Sequence, residues 1–241
     1  MAMRICITND DGIHSEGLLR LVSWASKLGE VHVYAPKVEQ SAKSHAVEIH
    51  KAFEAKPAEV PGAVNAWAVD STPADCVRFA VLGRKEKFDL VISGVNRGLN
   101  IGQDIMYSGT CSAAMEAVGL GINALALSTE PQSFDDVFAH LDDVWAYITE
   151  NDLYGKARLW NVNVPLKTTG EIRVTRQGGP YYSDDFMAQA DDMYLPCGKD
   201  VFAHTPGSDF DTDCVLHDRC ISITPLTIDR TDWNAFRALG K

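Results

Sequence analysis

The sequence lacks the features of a membrane protein and of a nucleic-acid-binding protein. No apolar run approaches the roughly 18 residues that cross a bilayer, and a strand pattern begins almost at once, which leaves no room for a signal peptide. Basic residues are scarce, because 22 Lys and Arg stand against 33 Asp and Glu. This acidic balance disfavours nonspecific binding of a nucleic-acid duplex. We therefore expect neither a membrane nor a duplex as partner, and a cytoplasmic location.

Cysteine motifs are also missing. The six cysteines lie far apart and form no Cys-x-x-Cys pair, so their spacing indicates neither a zinc site nor a redox motif. Several stand in apolar runs and are predicted to be buried thiols. A chain of 241 residues can bury a sizeable core without disulfides, which agrees with a reducing compartment.

Several familiar catalytic motifs are absent as well. The chain has no P-loop, no Gly-x-Gly-x-x-Gly turn and no Gly-x-Ser-x-Gly elbow, which disfavours nucleoside triphosphate motors, dinucleotide enzymes and serine hydrolases. The histidines have no metal-ligand spacing. His14 and His45 could contact a substrate, but a lone His is more often a structural or surface residue. The Asp-rich stretch 209–213 lacks the Gly and Glu of a calcium loop, so we predict a solvated loop there.

The first half of the chain alternates apolar strand patterns with helical periodicity. Ser15 is suited to cap the first helix and Pro73 to begin the second. Strand patterns occupy residues 4–8, 31–35, 89–93, 124–128 and 159–164, and helix patterns occupy 16–28, 72–82, 111–118 and 134–149. Because such alternation requires crossover connections, we predict an α/β fold with a Rossmann-like, mostly parallel sheet and helices on both faces.

The pattern changes from about residue 171. The chain becomes rich in Gly, Asp and Tyr, with strand patterns at 171–175 and 220–224 and a short terminal helix pattern at 233–239. We predict one α/β domain over 1–241, in which 1–170 form the Rossmann-like core. Residues 171–241 would then form a strand-rich or hairpin extension and a C-terminal tail.

Polar residues follow three of the predicted strands. Asn9-Asp10-Asp11-Gly12 follows the first, a loop with Ser41 follows the second, and Asn96 follows the strand at 89–93. Ligands of open α/β sheets bind beyond the carboxyl ends of the strands, and hard oxygen donors suit Mg²⁺ or Mn²⁺ better than zinc. The alternative is that residues 9–12 form only a turn that caps the next helix.

Ser108-Gly109-Thr110 stands just before the helix pattern at 111–118. Hydroxyls and free N–H groups at a helix N-terminus can bind an anion, phosphate in particular. The same triplet can also be an ordinary helix cap.

Seven segments, in order, resemble the motifs of the survival protein E (SurE) family of metal-dependent 5′/3′-nucleotidases. They extend over nearly the whole chain, which makes a chance match negligible. The segments are 7–12 (ITNDDG), 35–36 with 40–41, 72–77 (TPADCV), 89–98 (DLVISGVNRG), 107–110 (YSGT) with 113–116, 161–165 (NVNVP) and 221–226 (ISITPL).

The resemblance implies a Rossmann-like phosphate monoester hydrolase that uses a divalent metal. Its substrates would be nucleoside 5′-monophosphates and, in some members, 3′-monophosphates, other phosphate esters or short polyphosphate. It also implies homodimers or homotetramers that exchange C-terminal segments. By resemblance, the metal ligands are Asp10, Asp11, Ser41 and Asn96, the two aspartates are also catalytic, and the phosphate contacts are Asn9, Ser108, Gly109 and Thr110.

Alternatives remain open on the sequence. Either an activated water or an aspartate could attack phosphorus. A phosphatase of the haloacid dehalogenase type would need Asp-x-Asp, whereas this pair is contiguous, and a noncatalytic nucleotide-binding regulator would not need the carboxylates. The chain also departs from the family pattern at Ala42 and Ser71, where Gly is usual, and at Cys111-Ser112, where Val-Gly is typical.

Overall fold

The computed structural model describes residues 2–240, and its helices and strands have the following bounds. The strands are β1 (Met3–Thr8), β2 (Gly29–Pro36), β3 (Ala55–Pro57), β4 (Asn65–Val69), β5 (Leu90–Arg97), β6 (Asn123–Thr129), β7 (Leu159–Val164), β8 (Ile172–Val174), β9 (Tyr182–Ala188), β10 (Tyr194–Asp200) and β11 (Ile221–Leu226). The helices are α1 (Glu16–Ala25), α2 (Pro73–Arg78), α3 (Gly109–Gly119), α4 (Asp135–Glu150) and α5 (Trp233–Ala238).

One nine-stranded sheet, in the order β3-β4-β2-β1-β5-β6-β7-β11-β8, forms the centre of the molecule. The six strands from β4 to β7 in this order pair in parallel. Ile5 and Ile7 of β1 pack into one buried cluster with residues of α1 and α4, while Cys6 packs into a second cluster with residues of α2 and α3. Because successive strand residues face opposite sides, both faces are apolar and covered. The predicted doubly covered parallel sheet is therefore confirmed.

The sequence predicted where the first two helices begin more accurately than where they end. Ser15 caps α1 through its side chain, and Pro73 begins α2 behind the cap residue Thr72, both as predicted. The predicted helix at 72–82 instead divides into α2 and a wider helical turn, Phe79–Gly83. Strands β3 and β4 had no prediction. They lie at one side of the sheet, where short segments pair without a long apolar pattern.

The C-terminal region contributes to two sheets. β11 pairs antiparallel with β7 and parallel with β8, so both strands extend the main sheet. β9 and β10 form a separate antiparallel hairpin, which confirms the predicted hairpin, and α5 confirms the predicted terminal helix.

The Asp-rich stretch is where the sequence prediction was wrong. Asp211 and Asp213 are buried rather than solvated. The Asp211 carboxylate accepts hydrogen bonds from the backbone N–H groups of Gly102, Gly178 and Thr212. Asp211 is buried because these three backbone donors need an acceptor. A helical turn follows at Asp213–His217.

Five of the six cysteines are buried and all six are free, which confirms the prediction of buried thiols. Within residues 2–240, no helix is both long and apolar enough to cross a membrane.

Candidate metal and phosphate site

The turn after β1 is braced by Asn9. Its Nδ2 donates to the carbonyl oxygen of Gly12 at 3.0 Å and to Oγ of Ser15 at 2.8 Å. Gly12 has a φ of +99°, which permits the reversal that leads into α1. The turn therefore explains the presence of Asn9, Gly12 and Ser15, but its hydrogen bonds do not use the side chains of Asp10 and Asp11.

Asp10 is buried beneath the N-terminus of α3. The residue is only 4% exposed, and its Oδ1 accepts a hydrogen bond of 2.6 Å from Oγ1 of Thr110. Burial and, to a smaller extent, the charge of Asp11 raise the pKa of Asp10 to about 6 against the opposing effect of the Thr110 hydrogen bond. A cation beside Asp10 would stabilise its ionised form.

Asp11 points to the neighbouring strand end. Its Oδ2 accepts the backbone N–H of Arg97 at 3.1 Å, and burial raises the pKa of this carboxyl as well. The two adjacent carboxylates thus turn to different partners, Asp10 toward α3 and Asp11 toward the end of β5.

The loop after β2 is tied to both sides of the site. The N–H of Gln40 donates to the carbonyl oxygen of Asp10 at 2.7 Å, and the N–H of Ser44 donates to that of Tyr107 at 3.1 Å. Ser41, between them, is exposed, and its Oγ donates to Glu39 at 2.6 Å. These anchors bring Ser41 to the edge where β1 and β5 end.

Asn96 reaches the same edge through an irregular strand. The pairing of β5 with β6 shifts register between Ser93 and Asn96. Gly94 within this shift has a φ of +140°, and a Cβ there would lie 2.4 Å from the carbonyl oxygen of Leu127, so only glycine fits. Nδ2 of Asn96 donates to the carbonyl oxygen of Gly98 at 2.8 Å, which leaves Oδ1 as the atom available to a cation.

The N-terminus of α3 closes the other side. Oγ of Ser108 accepts the N–H of Cys111 at 3.0 Å, so Ser108 is the helix cap that the sequence offered as one alternative. A Cβ on Gly109 would lie 2.9 Å from Oδ2 of Asp10, which means that this helix start and the carboxylate are in direct contact only because residue 109 is glycine.

These elements enclose a cleft of about 220 Å³. Four of the eight predicted site residues line it: Asp10, Ser41, Asn96 and Ser108. The other four, Asn9, Asp11, Gly109 and Thr110, lie in the surrounding turn, strand end and helix start. A larger cavity of about 420 Å³, lined by apolar side chains such as Ile105 and Met115 and by polar ones such as Gln177, lies apart from the carboxylate pair. The oxygen donors that suit a divalent cation line the smaller cleft, so we assign the candidate site to it.

A buried asparagine network under the cleft had no place in the sequence prediction. The N–H of Asn100 donates to Oδ1 of Asn163 at 2.8 Å, and its Nδ2 donates to Oγ of Ser128 at 2.7 Å. Nδ2 of Asn161 and Nδ2 of Asn163 both donate to the carbonyl oxygen of Asn100. The signal was available, because amides at alternate positions of an otherwise apolar strand are expected to be hydrogen-bonded.

The departures from the family pattern have local consequences. Ala42 adopts a φ of +57°, a region that favours the usual glycine. Ser71 adds a hydroxyl that donates to the buried Asp75 at 2.6 Å. Cys111 places its thiol 3.5 Å from Oδ1 of Asn161. None of these changes removes a proposed ligand.

The donor set suits a hard divalent cation. Two carboxylates with a hydroxyl and an amide oxygen are the donors that Mg²⁺ and Mn²⁺ prefer. No group of three or more His, Cys, Asp and Glu side chains within the described part of the chain is arranged to hold a metal, so a zinc-type cluster does not compete. The buried carboxyl of Asp10, with its raised pKa, is the observation that fits a cation best.

Fold and site together define an α/β protein with a carboxylate site facing a helix N-terminus at the carboxyl edge of its parallel strands. The family model "Survival protein SurE" matches residues 5–184. The chain therefore belongs to the SurE family.

Similar proteins match along nearly the whole chain. The 5′-nucleotidase SurE of Syntrophotalea carbinolica is 39% identical over 99% of this chain and 97% of its own length. That of Thermococcus gammatolerans is 38% identical over 95% of this chain and 91% of its own length. The crystal structure of the SurE protein from Aquifex aeolicus is similar with a TM-score of 0.78 and 31% identity, and covers 98% of both chains.

Proposed function

We propose that this protein is a metal-dependent 5′-nucleotidase that releases phosphate from nucleoside monophosphates. The curated relatives described above carry the name 5′-nucleotidase SurE and match end to end. The observation that carries the proposal is the direct contact between the buried carboxylate of Asp10 and the N-terminus of α3. In support, a carboxylate that could bind a cation and a helix N-terminus that could bind an anion meet at this contact.

Asp10, Asp11, Ser41 and Asn96 would hold Mg²⁺ or Mn²⁺ in this proposal. Such an ion, when bound, neutralises phosphate charge and lowers the pKa of a coordinated water. Thr110 positions Asp10 through its hydroxyl, and Arg97 positions Asp11 through its backbone N–H. These contacts keep both carboxylates oriented before a substrate arrives.

The phosphate would lie at the start of α3. The backbone N–H groups of Gly109 and Thr110 belong to the first turn of the helix, where they would stabilise the negative charge that develops on phosphoryl oxygens. The N–H of Ser108 donates to the carbonyl oxygen of Ile105 at 3.4 Å, so Ser108 would meet the phosphate through its hydroxyl. Asn9 shapes the turn opposite. Its buried Oδ1 has no hydrogen-bond partner and is the atom left to meet a protonated phosphate oxygen.

Water is the nucleophile that we favour. Asp10 and Asp11 each use one carboxylate oxygen for a hydrogen bond, and both are assigned to the cation, which leaves neither well suited to attack. Direct attack by an aspartate would produce an aspartyl-phosphate. A phosphorylated enzyme trapped by rapid quench would therefore overturn the water route.

Assembly is a further part of the proposal. We assign 1–170 to the core and 171–241 to an extension used for forming a homodimer or homotetramer in the cytoplasm. In support, the β9-β10 hairpin exposes Tyr182, Phe186, Met187, Tyr194 and Leu195. An isolated two-stranded hairpin is marginally stable in water, so a partner surface would stabilise it.

Phosphate release from adenosine monophosphate with Mg²⁺ or Mn²⁺ tests the function. We expect activity that a chelator removes, and a loss of about 100-fold or more in Asp11→Asn because the cation loses a charged ligand. Asp143→Asn, which removes the same charge from the exposed surface of α4, serves as control and keeps full activity. Full activity of Asp11→Asn would sink the proposal, whereas binding of the nucleotide without phosphate release would favour a regulator.

A further inference from the structure

The residues at the floor of the cleft are buried, and those at its rim are exposed to solvent. Asp10, Asn100 and Ser108 on the floor are buried, whereas Tyr107 and Asp184 at the rim are exposed. If the phosphate occupies the floor, the group esterified to it must lie at the rim. The rim residues therefore decide which phosphate esters fit.

Tyr107 offers a fixed aromatic surface at this rim. It is 50% exposed, although its backbone is held on both sides. Its N–H donates to the carbonyl oxygen of Asp104 at 2.9 Å, and its carbonyl oxygen accepts the N–H of Ser44 at 3.1 Å. An exposed ring on a fixed backbone can stack on a nucleobase with little loss of conformational entropy.

The charge at the rim is negative. Asp104 and Asp184 both line the cleft, and Asp184 comes from β9 of the hairpin. Burial raises the pKa of Asp104, the Tyr181 hydroxyl lowers it, and the charge of Asp184 raises it again.

The rim has little to offset this charge. Arg97 is the one basic residue among the described residues that line the cleft. Its guanidinium lies 4.7 Å from the centre of the Phe134 ring and donates to the carbonyl oxygen of Pro131 at 2.9 Å. The Arg97 guanidinium therefore already has partners. A second or third phosphate at the rim would be repelled by the Asp104 and Asp184 carboxylates, with no free basic side chain among the described residues of the cleft to offset that repulsion.

Resting on the proposed function, we infer that the rim selects nucleoside monophosphates. Tyr107 stacks on the base, while Asp104 and Asp184 repel the additional phosphates of nucleoside di- and triphosphates and of polyphosphate. Selectivity of this kind combines an attractive contact for the preferred ligand with a repulsive one for its competitors.

Neighbouring aspartates on β9 provide a matched test of the repulsion. Side chains of adjacent strand residues face opposite sides, so Asp184→Asn and Asp185→Asn make the same charge change on opposite faces of one exposed strand. Calorimetry with Mg²⁺ at low salt measures the dissociation constants of tripolyphosphate and of inorganic phosphate. We expect Asp184→Asn to bind tripolyphosphate about 3- to 10-fold tighter, with the gain shrinking at high salt.

Inorganic phosphate and the Asp185→Asn variant are the controls for repulsion by Asp184. Inorganic phosphate, which reaches only the floor, should bind equally to both variants, and Asp185→Asn should bind tripolyphosphate like the unmodified protein. An equal gain in both variants, or no gain in Asp184→Asn, would overturn the repulsive role.

Tyr107→Ala tests the stacking, with Met106→Ala as its control. Met106 is the exposed neighbour that faces the larger cavity. We expect Tyr107→Ala to raise the KM for adenosine monophosphate about tenfold and to leave glycerol 2-phosphate kinetics unchanged, with Tyr107→Phe normal. An equal loss on both substrates, or none, would reject stacking.

The two failures can be told apart. Absence of phosphate release by the unmodified protein would refute the proposed function. Tripolyphosphate binding needs no turnover, and in that event the stacking comparison is made on the dissociation constants of adenosine monophosphate. The selectivity inference is thus decided in either case.

Discussion

At the level of single residues, the burial of Asp10 decides how the site responds to pH. The pKa of this carboxyl in the folded protein, about 6, lies above its ordinary value of 3.8. A raised pKa means that the folded protein holds the proton more tightly, so this contribution to stability is present below pH 3.8 and is lost as the pH rises through about 6. A divalent cation requires the ionised form and therefore competes with that proton.

We expect the affinity for Mn²⁺ to weaken about tenfold per pH unit below pH 6, because each cation displaces at least one proton. Calorimetric titrations at pH 5, 6 and 7 measure the dissociation constant. Repeating them in buffers of different ionisation enthalpy gives the number of protons released. A constant affinity across this range would show that Asp10 is not a ligand.

At the level of elements, helix α3 carries a close contact that only glycine permits. A Cβ at position 109 would lie 3.0 Å from Cβ of Asp10, so Gly109→Ala must displace that carboxylate. Since displacements of about 1 Å in a site can cost about 100-fold in rate, we expect a loss of that order in kcat/KM for adenosine monophosphate.

Gly119→Ala, in the last turn of the same helix, is the matched control. A Cβ there meets no atom within 4 Å, so activity should be unchanged and the free energy of unfolding should rise by up to about 1 kcal/mol. Kinetics and thermal denaturation of both variants check this. Normal activity in Gly109→Ala would contradict the proposed contact between helix and carboxylate.

The segment after β10 carries a second element-level prediction. Asp211→Ala removes the acceptor of three backbone N–H groups, and we expect the free energy of unfolding to fall by about 3 kcal/mol. Asp209→Ala removes an exposed ion pair with Arg176 and should cost less than about 1 kcal/mol. Urea denaturation compares the two, and equal costs would show that burial of Asp211 has little energetic weight.

At the level of the whole molecule, the hairpin links the site to assembly. Phe186 and Leu195 are exposed and lie on opposite faces of the hairpin, since Phe186 pairs with Pro196 and Leu195 with Met187. Charges at both positions oppose burial against a partner chain. We expect Phe186→Asp combined with Leu195→Asp to reduce the mass measured by light scattering to that of one chain. Asp185→Asn should leave the assembly intact.

The outcome of this experiment bears on the proposed assembly directly. A multimeric mass that persists in the double variant would place the interface elsewhere. A single-chain mass for the unmodified protein at micromolar concentration would reject assembly altogether.

Much of the architecture follows from local sequence. Apolar residues in β1 and β7, bounded by polar or Pro residues, predicted strands that the structure contains at nearly the same bounds. Ser15 and Pro73 marked helix starts because capping depends on neighbouring residues only. Parallel strands bring their carboxyl ends to one edge, so the sequence alone also indicated that Asp10, Ser41 and Asn96 would meet there.

Tertiary packing decided the rest, because it depends on residues far apart in the chain. Thr110 and Asp10 are separated by 100 positions, and only the packed sheet and helix bring them to 2.6 Å. The burial of Asp211 and the arrival of Asp184 at the cleft also depend on how distant segments fold back. The sequence by itself determined the elements and the edge where polar residues collect, since these depend on periodicity and local capping. The orientation and burial of each carboxylate, which set its pKa, were decided by the tertiary structure.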